Sequence, residues 1–228
     1  MTDAGRGPSA PDRRRILLLV GAAGAGKGTQ AEILSTELGL PHLASGNLFR
    51  AAVRDATPLG KLAQTYMERG DLVPDDVTIG MFMEQLALPG AERGAILDGF
   101  PRTVAQARAL DETLARQGER ISRVIYIEVP TEELVERLAV RYVCPTCGTP
   151  YHQLTDPPRV PGICDKDGTP LEQREDDRPE VVRARLSKQV PPMLEVIDHY
   201  DRAGIVSRVD GRRPIEAVTR AILEELGA

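Results

Sequence analysis

The chain of 228 residues has no tryptophan, and aromatic residues reach only 4%. The stacking side chains that bind single-stranded nucleic acid are therefore missing. Lysine is almost as scarce: Lys27, Lys61, Lys166 and Lys188 stand against 25 arginines, and the net charge is −5. That acidic balance argues against a general nucleic-acid binder, which would be basic. Cysteine occurs three times, as Cys144, Cys147 and Cys164. An odd number in a short window builds no disulfide framework and points to a reducing compartment, so a cytoplasmic location is expected. No stretch approaches the ~20 apolar residues of a spanning helix, so no membrane partner is expected. The segment "RRRILLLVGAAGAG" has the order of a secretory signal, but its apolar run falls short of the about 7–15 residues such signals carry. Cleavage there would also cut into the glycine-rich motif that follows. Residues 1–13 lack apolar periodicity and are expected to form a disordered tail.

What is present alternates in period. "RILLLV" (15–20), "AILDG" (95–99), "RVIYIEV" (123–129) and, more weakly, "GIVSRVD" (204–210) are short apolar runs of buried strands. Helical patterns lie between them at 30–39, 103–117, 131–141 and 214–226, and another, at 189–200, is interrupted by Pro191 and Pro192, where a kink is expected. Strands alternating with helices make an α/β fold with a mostly parallel sheet. Residues 143–173 break the alternation: they are rich in Pro, Gly, Asp and Cys and read as an inserted subdomain.

Between the first strand and the first helix stands "GAAGAGKGT" (21–29), a match to the phosphate loop G-x-x-x-x-G-K. Glycines turn backbone amides toward phosphate oxygens, and the helix N-terminus adds positive potential. Lys27 would reach the outer phosphates. The residue after it is Gly28, so the hydroxyl expected next to the lysine arrives one position late, at Thr29.

From G-K-G-T-Q onward the chain resembles the nucleoside monophosphate kinases, the adenylate kinase family above all. "LASGNLFR" (43–50), "GDLVPDDVT" (70–78), "LDGFPRT" (97–103), "RYVCPTCGTPYH" through "GICDKDG", "QREDDRPEVVRARL" and "VDGRRP" (209–214) are similar, in order, to that family's motifs. The resemblance spans about residues 14–227. It implies a P-loop NTPase-like parallel five-stranded sheet flanked by helices, with a core of 14–142 and 174–228. It also implies a small helical monophosphate-binding region at 44–73 and a lid at 143–173. The implied reaction is ATP + AMP = 2 ADP in a monomer, with ATP, AMP and ADP as its small-molecule partners. A kinase using GTP as donor, or one acting on another nucleoside monophosphate, is the alternative; a P-loop protein carrying a zinc-ribbon binding module is a remoter one.

The same resemblance implies the site. Lys27, Arg102, Arg137, Arg141, Arg174 and Arg185 would face the phosphates. Gly24, Ala25, Gly26, Gly28, Thr29, Pro150, Tyr151, Gly211 and Arg213 would complete the ATP side. Ser45, Arg50, Asp71, Leu72, Val73, Gly99, Phe100, Pro101 and Gln106 would join Arg102, Arg174 and Arg185 around AMP. Gathering arginines suits phosphoryl transfer, in which catalysis is mainly positioning and charge neutralisation. Asp98, at a strand end, would orient waters around Mg²⁺, which keeps several of them. Asn47 stands where the family has Asp; an amide can hold a water but brings no charge. Ser45 keeps a hydroxyl, which favours AMP. Gln106, read as one turn beyond Arg102, can offer an adenine edge one donor and one acceptor.

Cys144-x-x-Cys147-Gly and Cys164-x-x-Asp167-Gly repeat one spacing with sixteen residues between them. Zinc takes four ligands at structural sites and accepts a carboxylate among them. Asp167 is the expected fourth ligand; His152 and Asp165 are its rivals. A segment so short and poor in apolar residues needs such a staple.

Overall fold

The computed structural model describes residues 14–67, 73–153, 156–173 and 177–227. The tail at 1–13 and the candidate residues Asp71, Leu72 and Arg174 lie outside them. In chain order the elements are β1 (Arg15–Val20), α1 (Lys27–Leu38), β2 (His42–Ala44), α2 (Ser45–Arg54), α3 (Pro58–Met67), α4 (Asp75–Ala87), β3 (Gly94–Asp98), α5 (Val104–Arg116) and β4 (Ile121–Glu128). They continue with α6 (Thr131–Ala139), β5 (Arg141–Val143), β6 (Pro150–His152), α7 (Pro179–Asp201), β7 (Val206–Asp210) and α8 (Ile215–Leu226).

β2, β3, β1, β4 and β7 form one parallel sheet in that order. β1 is central and buried on both faces. Ile16, Leu18 and Val20 pack toward α4, α5 and the C-terminal half of α7; Leu17 and Leu19 pack toward α1, α6 and α8. That is the period-2 consequence of a strand covered by helices on both sides. α7 serves both cores: Val182 and Leu186 join one, while Val196, Ile197 and Tyr200 join the other.

Two local expectations change. β2 carries only three residues, too few for a periodic signal, so the fifth strand escaped the pattern. The helix expected at 189–200 begins at Pro179: α7 runs to Asp201 with Pro191 and Pro192 inside it, and packing against both cores offsets their missing amide donors. β5 and β6 pair as a separate antiparallel hairpin; the isolated bridge Val143–Glu172 joins the end of that segment to β5, and Ile163–Pro170 closes the second cysteine turn on itself. The central sheet thus leaves its carboxyl ends facing one crevice, where β2 and β3 lie to one side of β1 and β4 and β7 to the other. In open parallel sheets ligands bind at such a place.

Candidate active site

The crevice is a cleft of about 1710 Å³. Its walls carry every expected nucleotide-site residue that the structure describes, from Gly24, Ala25, Gly26, Lys27, Gly28 and Thr29 at the end of β1 to Gly211 and Arg213 after β7. Gly24 and Gly26 have φ of +87° and +93°, left-handed values that favour glycine. A Cβ on Gly24 would also lie 3.0 Å from Leu138 Cγ, so the loop sits flat against α6. Lys27 donates to the Ala22 carbonyl at 3.0 Å. Burial pushes its ammonium pKa down, Asp98 opposes that, and Arg102, Arg141 and Arg185 add to it. Four cations from four parts of the chain therefore share one field.

At the end of β3, Asp98 meets a residue that pattern reading missed. His42 Nε2 lies 3.2 Å from Asp98 Oδ2. Burial works to raise the Asp98 carboxyl, but the His42 contact and the Lys27 and Arg102 charges outweigh it and hold the carboxyl below its ordinary range. Nothing in the local sequence marks His42; β2 and β3 bring the two together across 56 residues.

The next loop is built around Gly99. Arg102 Nε donates to the Gly99 carbonyl at 2.8 Å, Ser45 Oγ donates to the same oxygen at 3.1 Å, and Arg102 Nη2 donates to Ser45 Oγ at 3.3 Å. Phe100, stacked on Phe82 with centroids 4.8 Å apart, anchors the loop, and the Phe100–Pro101 peptide is cis. α5 begins at Val104, so Arg102 and Gln106 do not share a helical face as expected; Thr103 caps the helix by accepting the Gln106 backbone N–H at 3.2 Å. Gln106 is buried. Its Oε1 accepts the Arg102 backbone N–H at 2.7 Å, and its Nε2 donates to Asp75 Oδ1 at 2.9 Å. Arg50 donates to Asn47 Oδ1 at 2.6 Å, one helical turn back along α2. Val73 and Pro101 lie on the same wall.

On the opposite wall, Arg137 donates to Glu133 Oε1 at 2.6 Å and to the Gly211 carbonyl at 2.9 Å. Arg141 forks onto Asp177, Nε to Oδ2 at 2.8 Å and Nη2 to Oδ1 at 2.5 Å. Asp177 is fully buried, and sequence reading passed over it. Such planar, bidentate pairing aims a guanidinium and leaves further donors for an anion. Gly211 is tightly enclosed: a Cβ there would come within 2.6 Å of Ile127 Cγ2 and 2.7 Å of Val129 Cγ2. Arg185, Pro150 and Tyr151 complete the lining.

The cysteine segment folds into two like turns. Gly148 N–H donates to the Cys144 carbonyl and Gly168 N–H to the Cys164 carbonyl, each at 2.9 Å. They bring donor atoms of Cys144, Cys147, Cys164 and Asp167 within 4.8 Å of one another. Cys144 Sγ lies 3.4 and 3.3 Å from the Asp167 oxygens, and Cys147 Sγ lies 3.6 Å from Cys164 Sγ. His152 and Asp165 are not in this group. The backbone N–H and hydroxyl of Thr169 hold the Asp167 carboxyl well below its ordinary range. Burial works to raise the Cys164 thiol, but the Tyr151 hydroxyl and the backbone N–H groups of Lys166 and Asp167 bring it down. An ionised carboxylate beside an acidified thiol is a donor set fit for a metal ion.

A family model for Adenylate kinase matches residues 19–205. A curated adenylate kinase of Staphylococcus aureus (strain Mu50) is 46% identical over 210 residues, covering 92% of this chain and 98% of that relative. One of Staphylococcus epidermidis (strain ATCC 12228) is 45% identical over the same shares. With a phosphate loop facing an arginine-bearing loop across one cleft, and with matches that run almost the length of both chains, the protein belongs to the adenylate kinase family.

Proposed function

We propose that the protein transfers the terminal phosphoryl group of ATP to AMP, reversibly, giving two ADP and balancing the adenine nucleotides. The observation that carries the reading is one cleft with a phosphate loop at one end and the Ser45–Gly99–Arg102 cluster at the other. The loop amides and Lys27 hold the donor phosphates. Arg137 and Gly211 frame the donor base side with Arg213, and Arg50, Arg102 and Gln106 frame the acceptor, with Val73 beside it. Arg141 and Arg185 close on the phosphoryl group in flight, where fixed cations lower the barrier because they need no rearrangement. A Mg²⁺ ion bound with ATP would supply charge neutralisation at the phosphates. Asp98, kept ionised by the His42 contact and the Lys27 and Arg102 charges, would hold that ion through its waters.

Zinc is the ion that the Cys144, Cys147, Cys164 and Asp167 set suits, as a closed structural site. It would stiffen the lid, whose closure keeps water from the phosphoryl group. With three free cysteines and a site drawn from a single chain, the enzyme reads as a cytoplasmic monomer. Among the described residues, no helix is long and apolar enough to cross a membrane.

The test is ADP formation across acceptors and donors. AMP should be phosphorylated far faster than CMP, UMP or GMP, and ATP should be stable without an acceptor. Faster turnover of CMP or UMP would move the chain to the pyrimidine branch, GTP preferred over ATP would change the donor, and ATP consumed alone would favour the P-loop binding module.

A further inference from the structure

Lys166, which has no part in this chemistry, makes a contact far along the chain. It sits in the second knuckle between Cys164 and Asp167, and its Nζ lies 3.3 Å from Glu32 Oε1, 134 residues away. Glu32 is on α1, just past one helical turn beyond Lys27. The knuckle that presents Lys166 is firmly built. Cys164 N–H donates to the Thr169 carbonyl at 2.8 Å, and Thr169 N–H donates to Asp167 Oδ1 at 3.0 Å. Asp165 N–H donates to the Tyr151 hydroxyl at 2.7 Å. The first knuckle approaches the other wall: a Cβ on Gly148 would lie 3.9 Å from Asn47 Oδ1 on α2. The two knuckles thus rest on opposite sides of the cleft.

We propose that Lys166 and Glu32 are a positioning pair that latches the 143–173 segment over the phosphate loop, and that the metal-donor turns aim this latch. The proposal rests on reading the cleft as that of a nucleotide kinase whose lid closes on ATP. Both partners are about half exposed, at 55% and 51%. An exposed pair contributes little, so it favours closure without locking it. That weakness suits a lid that must open at each turnover.

A double-mutant cycle tests it, with Glu32→Gln, Lys166→Met, both together, and the exchange Glu32→Lys with Lys166→Glu. Metal content is measured in each. Glu32→Gln, on α1 and away from the metal donors, carries the test alone should Lys166→Met shed its metal. Each single change should raise KM for ATP about 1.5- to 5-fold, the range of an exposed ion pair, without lowering kcat. The double variant should be no worse than the worse single, and the exchanged pair should recover. Hydrogen exchange in residues 156–173, without nucleotide, should quicken in both singles and slow again in the exchanged pair. Additive losses in the double variant, or no recovery on exchange, would overturn the latch. The hydrogen-exchange arm needs no catalysis: a wild type that forms no AMP-dependent ADP sinks the kinase reading, and unaltered exchange in Glu32→Gln sinks the latch.

Discussion

Lys27 and Arg102 sit among like charges, and that decides what they do. Burial depresses the Lys27 ammonium, the Asp98 charge opposes that, and three nearby guanidinium groups add to it, so a polyphosphate beside Lys27 would favour its charged form. Since the phosphate charge moves during transfer, their loss should fall on turnover. Lys27→Met and Arg102→Ala should each lower kcat by on the order of 10²–10³, as for removal of a transition-state donor. A variant keeping more than about a third of normal turnover, under ~1 kcal/mol on the rate scale, would refute its assignment. Away from the cleft, buried Tyr200 donates to Asp111 Oδ1 at 3.2 Å, while His199 Nε2 lies 2.9 Å from Asp111 Oδ2. Burial, then the Asp111 charge, raises the Tyr200 phenol well above its ordinary value. A raised value means that its contribution to stability is whole below about pH 10, the unfolded value, and is lost as pH climbs toward the folded one. With no tryptophan to obscure it, tyrosinate absorbance should show Tyr200 ionising only as the protein unfolds, later than Tyr151, which burial pushes up to about 12. Tyr200→Phe should remove that step and cost about 1 kcal/mol; an identical titration curve in the variant would exclude this account.

Among the elements, α2 and α3 meet more closely than their sequences suggest. A Cβ on Gly60 would fall 1.9 Å from the Ala52 carbonyl oxygen, a backbone atom that cannot swing aside. The Gly60 N–H is also held by Thr57 Oγ1 at 2.9 Å. Glycine is needed there for contact, not for a left-handed backbone. Gly60→Ala should separate the two helices and cost about 1–3 kcal/mol, as overpacking does. Because α2 carries Ser45 and Arg50, KM for AMP should rise more than KM for ATP. Equal rises, or none, would mean that the pair of helices does not shape the acceptor side.

For the molecule as a whole, the parallel sheet and the cysteine segment have separate sources of stability. The sheet is closed by two apolar cores; among its described residues the segment at 143–173 has Cys144, Tyr151 and Cys164 buried with Leu171 against them. A metal bound only by the folded form stabilises it through linkage. Purified protein should carry one tightly held metal ion per chain. Asp167→Cys should keep it, Asp167→Ala should hold it weakly and melt at lower temperature, and His152→Ala should change little. Metal lost in His152→Ala but kept in Asp167→Ala would give the fourth place to the histidine. Stripping the metal should quicken hydrogen exchange in 143–173 and leave β1 and β4 protected; global unfolding instead would show that the sheet depends on the lid.

Much of this was written in the sequence. The phosphate loop, the four longer strands, Arg102 after its strand and the doubled C-x-x-C/D spacing are local patterns, because each depends on neighbours a few residues apart. Asp167 was singled out over His152 by spacing, and the turns place it with the three sulfurs. The rest depended on distance in the chain. β2 is a strand only because β3 lies beside it. His42 partners Asp98, Asp177 aims Arg141, and Lys166 meets Glu32 across 56, 36 and 134 residues. Gln106 shows the limit most clearly: its spacing from Arg102 suggested a shared helical face, but the helix starts after Arg102, and the side chain turns inward to Asp75 and the Arg102 backbone. Local sequence set which residues could bind phosphate; only tertiary packing decided which partner holds each of them, because those partners meet nowhere along the chain until the sheet has formed.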